Sequence, residues 1–246
     1  MTIALAATAF LLPASPPAPR RTSIIEPLKA LRHRSLATVA VTALLYNFGF
    51  FTLLAFTPFP LAMSARQIGL IFFGWGIGLA LTSVFAAPRL QRRFGTLPVV
   101  MTSLLLFAAD LAVMGVYAHH RGVLAAGVIV AGLFLGVNNT LITEAVMGAA
   151  PVERGTASAA YSFVRFSGGA VAPWLAGKLG EEINIQLPFY VGAFAVLLAV
   201  GVLASGWKPL SHLRVPTAHS EAEPPPSPLL TPERAFGLKL VPTSTQ

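Results

Sequence analysis

Residues 132–177 read GLFLGVNNTLITEAVMGAAPVERGTASAAYSFVRFSGGAVAPWLAG. The stretch predicts two long apolar helices joined by a short polar hinge, Ala150-Pro151-Val152-Glu153-Arg154-Gly155. Each helix carries groups that a lipid-facing segment should not. The first has Asn138, Asn139, Thr140, Thr143 and Glu144; the second has Tyr161, Ser162, Arg165 and Ser167, then Gly168-Gly169-Ala170 and Pro173. Ionisable side chains at membrane depth are costly, so they face a protein interior or a water-filled path.

Composition supports a membrane reading. Of 246 residues, 55% are hydrophobic and only 11% charged, with a mean hydropathy of +0.72. A soluble domain carries about 25% charged residues, so this chain could not cover a soluble surface. No cysteine is present, which excludes disulfides and thiolate metal sites. The five histidines (His33, His119, His120, His212, His219) all fall in predicted loops or tails.

Six spans are expected near Leu36–Leu61, Ile68–Ala87, Leu97–Tyr117, Val123–Gly148, Thr156–Leu179 and Pro188–Trp207. Each is long enough to cross about 30 Å of hydrocarbon at 1.5 Å per residue. Residues 1–14 are too short to span and are expected to be the remnant of a preceding helix, with an atypical signal peptide as the other reading. Residues 15–35 form a Pro-rich, basic linker, and residues 208–246 a disordered tail rich in Pro, Ser and Thr. With both termini cytoplasmic, thirteen Lys and Arg lie inside against three outside (Arg66, Arg121, Lys178), and Arg165 lies within a span. That asymmetry fixes the expected orientation. It also accounts for the formal charge of +8 without a nucleic-acid partner.

No catalytic signature is present: no G-x-S-x-G, no H-E-x-x-H and no P-loop lysine. Asn138-Asn139-Thr140 matches the glycosylation pattern but lies inside a span. An enzyme is not expected, and no metal or cofactor is called for.

The loop after the second span reads Ala87-Pro88-Arg89-Leu90-Gln91-Arg92-Arg93-Phe94-Gly95-Thr96-Leu97-Pro98. It resembles the degenerate C-terminal copy of the loop signature of the major facilitator superfamily, G-x-x-x-D-R-x-G-R-R. Aligned on Gly95, Arg93 takes the signature arginine; Pro88, Arg92 and Thr96 stand where the signature has Gly, Asp and its second Arg. The loop therefore lacks the signature's acid. Pro151-x-x-Arg154-Gly155-x-Ala157-Ser158-Ala159, followed by Gly168-Gly169-Ala170-x-x-Pro173-x-x-Ala176-Gly177, resembles the tenth-to-eleventh helix region of such transporters. The resemblance covers residues 30–207 and is closest to the drug:proton antiporter branch. It implies an all-α, polytopic membrane protein whose six transmembrane helices form one half of a major-facilitator-type bundle. Residues 1–14 would then end the sixth helix of the whole.

In that family the first and fourth helices of each half line the cavity. The second and fifth meet the other half, and the third and sixth face lipid. This implies a substrate cavity walled by Tyr46, Asn47, Phe50, Phe51, Asn138, Asn139 and Thr143, suited to an amphipathic organic compound. Packing of aromatics and inter-helix amide bonds is the plainer alternative. Glu144, about 9 Å from the hinge, is either a proton-coupling carboxylate or a gate that pairs with Arg89, Arg92 or Arg93. Arg154 in the hinge is grouped with these coupling or gating residues. Arg165, roughly 15 Å into its helix, requires a partner: an anionic substrate group, a carboxylate from a missing half, or a fixed inter-helix contact. Asp110 is expected to have a local helix-packing partner rather than a role in transport. Gly74, Gly76, Gly78, Gly132, Gly136, Gly168, Gly169 and Gly177 allow close helix approach.

The function implied is proton-coupled efflux of small organic or drug-like compounds by alternating access. The expected partners are the lipid bilayer, the substrate, protons and a second six-helix half: a missing N-terminal half, a separate chain or a second copy. The chain is expected to be multi-pass in the plasma membrane. The alternative is a non-transporting six-helix remnant or an interaction partner of another membrane protein.

Overall fold

Apolar runs of bilayer length separated by short turns leave a backbone one way to satisfy its polar groups in lipid, which is to form helices. The computed structural model describes residues 29–148 and 154–206. It shows α1 (Arg34–Leu61), α2 (Ala65–Phe94), α3 (Thr96–Val116), α4 (Arg121–Gly148), α5 (Arg154–Glu182) and α6 (Leu187–Ser205). The expectations for residues 1–28, for the hinge at 149–153 and for the tail from 207 lie outside the described residues.

Local chemistry sets the boundaries. In α1 the regular helix ends at Phe56, and Pro58–Leu61 adds one more turn. Ala62 then adopts a left-handed backbone (φ 45°), and Ser64 and Gln67 form a reciprocal capping box that starts α2. Asn184 Oδ1 accepts from the backbone N–H groups of Gln186 (3.1 Å) and Leu187 (2.8 Å), closing the turn into α6.

One expectation is corrected. The segment read as the loop Pro88–Thr96 is helical through Phe94, and only Gly95, at φ 84°, connects α2 to α3. Proline has no N–H and its ring clashes with the carbonyl four residues back. The helix absorbs Pro88 by widening into a π turn over Thr82–Ala86, where Ala87 N–H reaches Thr82 O. Arg89, Arg92 and Arg93 thus project from a helix end, all exposed.

Five of the six helices are long and apolar enough to cross a bilayer. The exception is α5, whose 29 residues suffice in length but include Tyr161, Ser162, Arg165 and Ser167. It belongs in the bundle because it lies along α1, the most extensive helix pair in the molecule.

The packing has an internal symmetry. Helix α1 lies between α5 and α6, and α4 lies between α2 and α3. Helices α3 and α6 pack on each other, and α1 touches α4 lightly. Exchanging α1 with α4, α2 with α5 and α3 with α6 leaves this pattern unchanged. Since α1 and α4 are an odd number of spans apart, they run in opposite directions, so the two three-helix units form an inverted repeat.

Small residues make the closest contacts. A Cβ on Gly132 would collide with the Trp75 carbonyl, one on Gly136 with the Leu79 carbonyl, and one on Gly168 with the Leu44 carbonyl. The first two clasp α4 to α2 and the third clasps α5 to α1, the symmetry-equivalent pair. Gly76 and Gly177, grouped with them by sequence, face open space. The largest buried side chains, among them Tyr46, Phe107, Phe189 and Leu135, come from α1, α3, α4 and α6. Helices α2 and α5 instead expose apolar stripes: Leu70, Phe73, Ile77 and Leu81 on one, Phe163, Phe166 and Trp174 on the other.

Candidate functional site

Where α1, α4 and α5 come together, the structure builds a polar cage around Arg165. That residue lies eleven positions past the start of α5, about 16 Å along its axis. Its Nη2 donates to Asn139 Oδ1 of α4 at 2.7 Å. Its Nη1 donates to Tyr161 Oη, one turn back on α5, at 3.3 Å. Its Nε donates to Asn47 Oδ1 of α1 at 3.4 Å. Asn47 also clamps the other end of the residue, since its Nδ2 donates to the Arg165 carbonyl at 3.1 Å. Tyr46 Oη donates to the same Asn139 oxygen at 2.9 Å. The rings of Tyr46, Tyr161 and Phe166 stand 5.6–5.8 Å from the guanidinium carbon.

Every acceptor in this cage is neutral. The one ion pair among the described residues joins Lys178 and Glu182 at 3.7 Å, at the far end of α5. Among the described residues, Arg165 therefore has no counter-charge. A central arginine costs about 2.5–3.5 kcal/mol on insertion scales and more in simulations. Neutral acceptors and aromatic faces reduce that cost without cancelling the charge.

An aromatic shelf adjoins the cage. Phe50 and Phe51 lie one turn along α1 from Tyr46 and Asn47. Phe50 stacks on Trp75 of α2 (centroids 5.9 Å, planes at 11°) and meets Phe51 edge-on at 5.0 Å. Phe72 closes on Trp75 at 6.4 Å. Gly169, one turn past Arg165, leaves room for the Phe51 ring. The Trp75 Nε1 donor is buried without an acceptor.

The expected cavity residues divide. Tyr46, Asn47 and Asn139 converge on Arg165, and Phe50 and Phe51 form the shelf. Asn138 does not join them: it is fully buried and neither side-chain polar atom has a partner. Adjacent residues on a helix point about 100° apart, so only one of the pair can reach the cage. Thr143 is exposed, farther along α4.

The expected gate also differs from its sequence reading. Glu144 Oε2 accepts from Gln91 Nε2 at 3.0 Å, and Gln91 also reaches Thr96 Oγ1 at 3.2 Å. None of Arg89, Arg92 or Arg93 pairs with Glu144. Arg89 donates to the Phe85 carbonyl at 2.8 Å, and Arg93 lies over the Phe94 ring at 5.3 Å. The helical continuation past Pro88 turns Gln91 toward α4 and the arginines outward. Arg154 begins α5. Asp110 faces Gly127 of α4, and its Oδ2 is buried with no hydrogen bond, so the expected packing partner is absent among the described residues.

Sequence reasoning missed Tyr161 and Gln91 as site members. Tyr161 carried a signal, since it stands four residues before Arg165 on one helix face. Gln91 had none, being 53 residues from Glu144. An apolar cleft of about 450 Å³ lies elsewhere, between α2, α3 and α4, lined by Leu90, Phe94, Leu106 and Phe134. It lacks a charged anchor and is distinct from the cage.

The chain is 46% identical over 214 residues to the multidrug efflux protein YfmO of Bacillus subtilis (strain 168), an alignment covering 87% of this chain and 54% of that protein. The chain thus spans about half the length of the curated relative it matches. The family model described as Major Facilitator Superfamily matches residues 59–243, which is most of the chain and takes in α2 through α6. With that match, on a six-helix inverted repeat closed around a charged centre, the chain belongs to the Major Facilitator Superfamily.

Proposed function

We propose that this chain is one six-helix half of a secondary active transporter that exports small organic compounds by alternating access, driven by protons. The observation that carries the reading is the Arg165 cage at the meeting of the two inverted units. Transporters of this build hold their cargo where repeats meet, near the membrane midplane. The relative's name, a multidrug efflux protein, supports the export direction and the substrate class. The exposed apolar stripes of α2 and α5 supply a face on which a second bundle could rock. The bilayer in question is the plasma membrane, with both termini on the cytoplasmic side, as the distribution of Lys and Arg favours.

Proton coupling has two carboxylates available. Glu144 is exposed, is held by one neutral amide and has no ion pair among the described residues. Asp110, half-buried with one oxygen lacking a donor, is the alternative. Everted membrane vesicles carrying the protein test the reading. Energised by respiration, they should accumulate a lipophilic dye such as ethidium and lose it when a protonophore is added. Vesicles with correctly inserted protein and no protonophore-sensitive uptake of any tested compound would instead favour a non-transporting bundle.

A further inference from the structure

The cage leaves part of its charge and part of its hydrogen bonding unused. A guanidinium has five N–H donors. Three are engaged, with Asn47, Tyr161 and Asn139, and one remains on each Nη nitrogen. Four acidic side chains fall within the described helices. Glu144 binds Gln91 on another helix, Glu182 pairs with Lys178, Glu181 ends α5 beside it, and Asp110 faces Gly127. None reaches Arg165. A site with one positive charge, two free donors and neutral walls is complementary to a group of one negative charge with two acceptor oxygens. Phosphate, at about −1.5 to −2, would overshoot the charge and leave oxygens without donors. A carboxylate fits both counts.

We propose that Arg165 anchors a carboxylate, borne by an amphiphile whose aromatic or aliphatic body lies one helical turn away against Phe50, Phe51 and Trp75. The spacing between charge and shelf is about 6 Å, the rise from Tyr46 to Phe50 on α1. Asn139, Tyr161 and Asn47 accept from three different guanidinium N–H groups, and Tyr46 fixes the Asn139 oxygen, so the guanidinium is oriented before a ligand arrives. Preorganisation of that kind lowers the ordering cost of binding. That the amphiphile is cargo rests on the transport reading; that the site takes a carboxylate does not. A carboxylate could also reach Arg165 from the facing half of an assembled transporter, and the test separates the two sources.

The full chain in lipid nanodiscs is titrated with 1-naphthoate, with 1-naphthamide as its neutral counterpart and with 1-naphthylmethylammonium, following tryptophan fluorescence. Naphthoate should bind at least about tenfold more tightly than the amide, a difference of about 1.4 kcal/mol, and the cation should not compete. Arg165→Gln should erase the preference and Arg165→Lys should retain part of it. Where Arg165→Gln does not fold, Asn139→Asp serves instead, because an internal carboxylate should displace the ligand while the fold is kept. Equal binding of naphthoate and naphthamide to the unaltered protein overturns the proposal. The titration is repeated with a second six-helix half co-assembled. Persistence of the naphthoate preference identifies a small-molecule carboxylate, whereas its loss assigns the carboxylate to the partner bundle and overturns the cargo assignment. No transport is read in this assay. Binding without export would defeat the proposed function alone, and export of cations without a carboxylate preference would defeat this inference alone.

Discussion

Arg165 and Asn139 are joined by a 2.7 Å hydrogen bond between α5 and α4, two helices that otherwise touch little. The same Asn139 oxygen takes the Tyr46 hydroxyl of α1. One amide therefore ties both central helices to the half-buried cation. Removing it in Asn139→Leu strands the guanidinium and the phenol together, and the loss should be about 1–3 kcal/mol. Asn139→Asp keeps the geometry and supplies the missing counter-charge. It should raise stability by about 1 kcal/mol, because a half-buried charge gains a partner. Thermal unfolding in nanodiscs reads both. If Asn139→Asp unfolds earlier than the unaltered chain, the charge at Arg165 is already neutralised by something else.

The glycine contacts make a paired prediction. Gly136→Ala drives a Cβ into the Leu79 carbonyl, which is backbone and cannot rotate away. Overpacking of that kind costs about 1–3 kcal/mol. Gly168→Ala should cost a similar amount at the symmetry-equivalent contact of α5 with α1. Gly76→Ala meets nothing within 4 Å, so it should be neutral or gain up to about 1 kcal/mol from reduced chain entropy. Melting temperatures of the three variants decide the matter. Equal losses at Gly76 and Gly136 would mean that close packing is not what these glycines serve.

Some of this architecture was legible from residues alone. Bilayer-length runs, five of them strongly apolar, point to helices, and Arg165 and Asn139 stood out because polar groups within such runs require a reason. The helical course of Ala87–Phe94 was not legible. A proline followed by three arginines reads as a loop, and the π turn that accommodates the proline sits where Ser83 Oγ donates across to the Gly136 carbonyl of α4 at 3.0 Å, a contact 53 residues away in sequence. The division between Asn138 and Asn139 was equally hidden. Sequence places both on one turn, and only the neighbouring helices decide which one meets Arg165.

Asp110 presents the reverse problem from Arg165, a carboxyl oxygen buried with no donor. A buried unpaired polar atom costs about 1–3 kcal/mol. Asp110→Leu should therefore stabilise the bundle by an amount of that order, seen as a higher unfolding temperature. If the same variant also loses protonophore-sensitive uptake, the stability forgone at Asp110 serves the transport cycle. A destabilised Asp110→Leu would show that a donor reaches the carboxyl group in the membrane.

Glu144 is exposed, so its neutral analogue should barely affect folding. Glu144→Gln retains an oxygen that can accept from Gln91 Nε2, and its stability should stay within about 0.5 kcal/mol of the parent. Its effect on transport should be large under the proposed function, a drop of about tenfold or more in protonophore-sensitive uptake, in line with the loss of a positioned proton carrier. Uptake at parental levels would remove Glu144 from the coupling path and leave Asp110 as the other candidate carboxylate.

Pro88 sets the register of everything after it on α2. The π turn it requires adds one residue to a turn of helix, which rotates the following segment by about 100° relative to a continuous α-helix. That rotation brings Gln91 within 3.0 Å of Glu144 and points Arg89, Arg92 and Arg93 outward. In Pro88→Ala the N–H is restored and the ring clash removed, so the α-helical ladder can close through Thr82–Ala86. Gln91 should then turn away from α4. The chain has no cysteine, so a Gln91→Cys, Glu144→Cys pair can be cross-linked with a short thiol reagent on a clean background. Cross-linking should be efficient with Pro88 in place and fall several-fold when Pro88→Ala is added to the pair. Unchanged cross-linking would show that the Ser83–Gly136 bond alone holds the π turn, and that Pro88 is accommodated by the widened helix without causing it.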